Sequence, residues 1–146
     1  MKEIAFELRA IIETTEPELS KMTDEETGIN ADTIKWSKKE ILGHLIDSAA
    51  NNHQRFVRAA YNAASEFPPY NQNEWVRIQQ YNNSSWKLLV GLWSAYNLHL
   101  CDLIERLPEE SKTAPVGIGK EEPVTLEFVV TDYLRHLRHH VDKILQ

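Results

Sequence analysis

The chain has one cysteine in 146 residues, so neither a disulfide framework nor a cysteine-based zinc knuckle is available to it. That residue, Cys101, lies in Asn97-Leu-His-Leu-Cys-Asp-Leu-Ile104, the setting of a small buried thiol. Five glycines and six prolines punctuate the sequence sparsely, which favours helices over the many turns of an all-β fold. Long apolar runs are also missing. Nothing approaches the roughly 18 to 20 residues that cross a bilayer, and the start, Met1-Lys-Glu-Ile-Ala-Phe-Glu-Leu-Arg9, is too charged for a signal peptide. The expected location is cytoplasmic, with no membrane partner. Basic charge is scarce too. Sixteen Lys and Arg stand against 22 Asp and Glu, a formal net charge of −6, which leaves no footprint for grasping phosphate backbones. Nucleic acid is therefore not an expected partner. No Gly-x-Ser-x-Gly, Walker loop, His-Glu-x-x-His, Cys-x-x-Cys or kinase signature occurs. Gly117-Ile-Gly119 lacks the third glycine and preceding strand of a dinucleotide fingerprint and reads as a turn.

What remains is a chain of one-domain length, residues 1–146, whose core can close without a disulfide or structural metal. Any metal would serve chemistry. Apolar residues recur at spacings of three and four in four segments. The first, residues 3 to about 20, carries Ile4, Leu8, Ile11 and Ile12, with Pro17 marking a late kink or an early end. A polar connection with Thr23, Asp24, Gly28, Asn30 and Asp32 follows. Ser37-Lys-Lys-Glu40 has capping-box form, with Trp36 and Ile41 at the staple positions. It should start a second helix at about Lys38, running to roughly Ala64 with Ile41, Leu42, Leu45, Ala49, Phe56 and Val57 on its stripe. Residues 65 to 83 form a long connection with a short helical piece from about Asn73 to Tyr81. The third long helix runs from Ser84 or Ser85 to Leu107, with Leu88, Leu89, Leu92, Trp93, Tyr96, Leu100, Leu103 and Ile104, and Pro108 ends it. After a 108–124 segment read as turns, Thr125 caps a last helix carrying Leu126, Val130, Leu134, Leu137, Val141, Ile144 and Leu145. Four such amphipathic helices predict an all-α four-helix bundle.

Histidine is the residue type left for chemistry, at 44, 53, 99, 136, 139 and 140. His136 and His140, four apart, share one helix face about 6 Å apart along the axis and can point at a single ion. Alone, such a pair is more often solvated or hydrogen-bonded than metal-binding. His44 changes the balance. It lies about 9 Å from the start of its helix, and His136 and His140 lie about 8 to 15 Å from the end of theirs. If the two helices are antiparallel, all three imidazoles reach the same depth. Three neutral imidazoles leave a divalent ion such as zinc or nickel with open positions for water or substrate. Glu40, Asp47, Ser48, Asp132 and Tyr133 are near enough in sequence to orient the rings. Trp86, Leu89, Val90 and Trp93 are either pocket wall or core, and Trp75 and Tyr81 are candidates for a rim. His53 and His99 fall away from the site, and His139 is a surface or supporting residue.

Two patches carry a resemblance. Trp36-Ser-Lys-Lys-Glu-Ile-Leu-Gly-His44-Leu-Ile-Asp-Ser48 and His136-Leu-Arg-His-His140 are similar to the histidine segments of the DinB-like (YfiT-like) metalloenzymes. With helix number and order included, the likeness spans essentially the whole chain. It implies an up-down-down-up bundle and a divalent metal on His44, His136 and His140. It further implies a small-molecule hydrolase or a transferase using a low-molecular-weight thiol. Many relatives continue with a Gly-Gln pair after the last histidine, whereas Val141-Asp142-Lys143 stands here. The rival reading is a non-catalytic, dimeric metal-binding bundle that acts as an interaction module. No general base is visible.

Overall fold

The computed structural model describes residues 1–28, 35–61, 65–119 and 121–146. In chain order its helices are α1 (Lys2–Leu19), α2 (Asp24–Thr27), α3 (Lys38–Tyr61), α4 (Gln72–Gln79), α5 (Trp86–Arg106) and α6 (Leu126–Leu145). The four long ones, α1, α3, α5 and α6, form a bundle. The expected end of the second helix near Ala64, and Asn30 and Asp32 of the polar connection, lie outside the described residues.

Helix starts follow local chemistry. Ser37 Oγ accepts from Glu40 N while a Glu40 carboxylate oxygen accepts from Ser37 N, the reciprocal capping pair that starts α3. Thr125 caps α6 through Phe128 N, and Ser85 caps α5 through Leu88 N. The polar connection holds a helix the hydrophobic pattern does not announce: Thr23 and Glu26 make a second capping box that opens α2. Pro17 sits inside α1, which runs on to Leu19.

The inward stripes meet as a continuous core. Leu8, Ile12, Leu42, Leu45, Phe56, Trp93, Leu100, Leu137 and Ile144 are almost fully buried, and each contributes roughly 1.5–3 kcal/mol relative to exposure. Leu88 and Leu92, counted with the α5 stripe, instead face outward, as do Val57 and Leu145. Trp86, Leu89, Val90 and Trp93 take the inward positions on α5.

Contacts fix the helix directions. Arg9 of α1 pairs with Asp102 near the end of α5, and Trp86 Nε1 at its start donates to Leu19 O at the end of α1, so these two helices are antiparallel. Ser37 and Lys39 meet Asn82 and Ser84 just before α5, and His53 meets Tyr96 further along, so α3 and α5 run together. Lys38 Nζ donates to Ile144 O, placing the start of α3 against the end of α6.

Two connections depart from the expected turns by forming a small sheet. Strand β1 (Ser65–Glu66) pairs in parallel with β2 (Pro115–Gly117), and β2 pairs antiparallel with β3 (Val124–Thr125). It ties the link after α3 to the link before α6. The link then returns to α3 through Tyr81, whose hydroxyl donates to Asp47 Oδ1 at 2.6 Å. A Cβ on Gly43 would stand 2.1 Å from the Tyr81 ring, so the close approach of this segment to α3 requires glycine there.

Candidate metal centre

His44 lies in the second turn of α3 and is 1% exposed; His136 and His140 lie on one face of α6 and are partly buried. Because the start of α3 packs on the end of α6, the three rings converge. His44 Nε2 and His136 Nε2 face each other at 3.1 Å, and the ring of His140 centres 4.9 Å from His44 and 4.6 Å from His136. One nitrogen from each ring can be chosen so that all three lie within 4.8 Å of one another. Trp36, before α3, covers His44 with ring centroids 5.0 Å apart.

This donor set fits a divalent ion. Two imidazole nitrogens held at about 2.0–2.1 Å from one tetrahedral zinc would be roughly 3.3 Å apart, close to the 3.1 Å between His44 and His136. Burial, and then the neighbouring imidazoles and Lys143, pushes His44 down to about 4 and His140 down to about 3, and burial lowers His136 as well. All three rings are consequently neutral near pH 7, the state in which imidazole binds a metal. Neutral rings also permit an N–H···N hydrogen bond between His44 and His136. The rings do not find the hydrogen-bond partners expected for them: His44 Nδ1 and His140 Nδ1 are buried with no hydrogen bond. Glu40 is committed to the α3 cap, Asp47 to Tyr81 and Gln79, and Asp132 to Arg135. Tyr133 donates to Asn97 in the core. Ser48 Oγ lies 3.3 Å from Asn52 Nδ2.

Two cavities flank the trio. One of about 180 Å³ is lined by His44 and His136 together with Ser48, Asn52, Arg55 and Tyr70. The other, a wider groove of about 900 Å³, is lined by His140 with Trp36, Lys38, Gln72, Asn73 and Lys143. Gln72, at the start of α4, borders both. Trp86, Leu89, Val90 and Trp93 line neither cavity and belong to the core instead, since all four point between helices. Tyr81 is buried against α3, and Trp75, its ring tilted against that of Tyr70, lines neither cavity, so neither is a rim residue. His53 and His99 pair with each other near Tyr96, and His139 is exposed beside His140. Asn52, Arg55, Tyr70 and Gln72 escape the sequence reading. The signal for the first two was present: they continue from His44 and Ser48 at helical spacing.

Known proteins share this architecture. YfiT from Bacillus subtilis, described as a probable metal-dependent hydrolase with an unusual four-helix bundle topology, superposes with a TM-score of 0.84 at 19% identity, over 98% of this chain and 83% of its own. The mycothiol-dependent maleylpyruvate isomerase superposes with a TM-score of 0.76 at 15% identity, over 96% of this chain and 58% of its own. At such identities the likeness concerns the fold. An Oceanobacillus iheyensis protein named as a putative metal-dependent hydrolase is 24% identical over 117 residues, 75% of this chain; the chain spans 63% of that relative's length. The sequence pattern of the DinB superfamily matches residues 7–144, nearly the full length, and the chain belongs to that family.

Proposed function

We propose that His44, His136 and His140 hold one divalent ion, zinc or nickel, and that residues 1–146 act as a single-domain, metal-dependent enzyme on a small molecule. The observation that carries this reading is the convergence of three buried-face imidazoles on one point between two cavities. The helix directions also support the up-down-down-up order, which brings α3 and α6 antiparallel and so assembles the trio. A three-histidine set leaves coordination positions open, the pattern of catalytic rather than closed structural sites. When bound, such an ion supplies Lewis acidity that lowers the pKa of a water or a thiol at those positions.

The protein's own residues do the rest. Neutral imidazoles hold the centre, Trp36 shields His44 from water, and the two cavities admit a substrate from either side. The reaction is hydrolysis, or transfer of a low-molecular-weight thiol; the relatives named for hydrolysis and for mycothiol dependence support this pair of choices. Protein purified without a histidine tag and loaded with Co²⁺ separates them. A thiol transferase changes its visible spectrum on addition of a cysteine-containing small thiol and conjugates electrophiles only when both metal and thiol are present. A hydrolase cleaves esters or amides without thiol. A bundle that binds no metal, or binds it and does neither, is the non-catalytic alternative.

A further inference from the structure

The smaller cavity has a charged end that the metal reading leaves unused. From His44, Ser48, Asn52 and Arg55 follow at intervals of four, four and three, one face of α3, and all four line this cavity. Helical side chains lean toward the N-terminus, so Arg55 reaches back toward the histidines. Its Nη1 donates to Asn52 Oδ1 at 3.3 Å. That uses one of the five donors of a guanidinium. No carboxylate of the described residues lies within 4 Å of it; Asp132, which lines the same cavity from α6, pairs with Arg135. Arg55 is partly buried, and burial disfavours its charge with only Tyr70 and Asp132 opposing. A cation withdrawn from water in this way calls for an anion, and a planar fork suits the two oxygens of a carboxylate.

We propose that Arg55, with Asn52 beside it and Tyr70 across the cavity, binds the carboxylate of a small organic acid whose reactive end lies at the three histidines. Asn52 stands eight residues beyond His44, about 12 Å along the helix axis at 1.5 Å per residue. The acid therefore carries its carboxylate several bonds from the group that reacts. A cavity of about 180 Å³ has room for a compact acid. The proposal rests on the metal reading for what happens at the far end, but the anion site itself does not depend on the ion.

The test is an NMR titration of ¹⁵N-labelled full-length protein with sodium pentanoate, and with the neutral pentanamide, in metal-stripped and zinc-loaded forms. Pentanoate is expected to shift the α3 amides around Ser48 to Arg55 in the metal-stripped protein, and pentanamide is not. Arg55→Gln should weaken pentanoate about tenfold or more, the scale of a charge-assisted hydrogen bond, and Arg55→Lys should fall between. If Arg55→Gln loses its helical circular dichroism, Arg55→Lys and Asn52→Leu make the same comparison, each expected to weaken binding. Equal pentanoate affinity in wild type and in the folded variants, or no binding to wild type, overturns the proposal. Failure of zinc to bind while Arg55-dependent pentanoate binding persists would overturn the metal reading and support this site. Tight zinc with carboxylate binding indifferent to Arg55 would do the reverse.

Discussion

His44, His136 and His140 on one side of α3, and His53 and His99 on another, are both groups of imidazoles on neighbouring helices, yet only the first turns its nitrogens on one another. In the first, α6 is antiparallel to α3 and supplies two rings four residues apart, so three donors meet within 4.8 Å, and His44 Nδ1 and His140 Nδ1 are buried without a hydrogen bond. In the second, α5 runs with α3 and supplies one ring, 5.3 Å from His53 between centroids. His53 Nδ1 there lies 3.1 Å from the Tyr96 hydroxyl, and His99 is exposed. Among the described residues no third imidazole, thiol or carboxylate completes that group. Ring proximity alone does not make a metal site; the proposed one rests on the convergence of three ring nitrogens under burial.

The widest separation between the clusters should be in metal affinity. His140→Ala is expected to weaken zinc binding by about a hundredfold or more, since ligand loss exceeds the 10–100-fold seen for supporting residues. His53→Ala should leave it unchanged. Competition against a chromophoric chelator measures both.

Acid should separate them next. The folded values of His44 and His140, about 4 and about 3, lie below the ordinary 6.5, so on acidification the unfolded chain takes up protons first. Stability is then complete above about pH 6.5 and is lost as pH falls toward 4 and 3. The thermal midpoint of metal-free protein should therefore drop between pH 7 and 4. That drop should flatten in a His44→Leu, His140→Leu variant and persist largely in His53→Leu, because His53 is lowered by burial and His99 but keeps a hydroxyl partner. Scanning calorimetry across that range decides it, and equal slopes in both variants would remove the distinction.

Packing should discriminate on a smaller scale. Gly43→Ala puts a Cβ into the buried Tyr81 ring beside the first cluster and is expected to cost about 1–3 kcal/mol as overpacking. Tyr96→Phe, at the second, removes one partly exposed hydrogen bond and should cost about 1 kcal/mol or less. Urea denaturation gives both values.

The same contrast shows what the amino-acid pattern made legible. The cap at Ser37, the cap at Thr125 and the stripes of α3 and α6 are local features, and the bundle displays the capping and, apart from the outward-facing Val57 and Leu145, the core packing they predict. The depth match of His44 with His136 and His140 followed from helical rise alone once the two helices were antiparallel. The small sheet was not legible, because strands of two or three residues have no period to read. Nor was Tyr81 on Gly43, a contact across 38 positions that no spacing rule reaches. Trp86 and Trp93 were assignable to wall or core only by seeing which face of α5 meets α1 and α3. The polar run His44, Ser48, Asn52 and Arg55 has helical spacing as well, but apolar periodicity does not register polar positions.

The proposed function requires that His44, His136 and His140 bind one ion. Zinc stoichiometry, measured by elemental analysis after dialysis of untagged protein against trace zinc, tests that most directly. The expected result is one zinc per wild-type chain and none in a variant with His44, His136 and His140 all changed to Ala, with His53→Ala retaining one. Zinc retained by the triple variant, or none bound by the wild type, would contradict it.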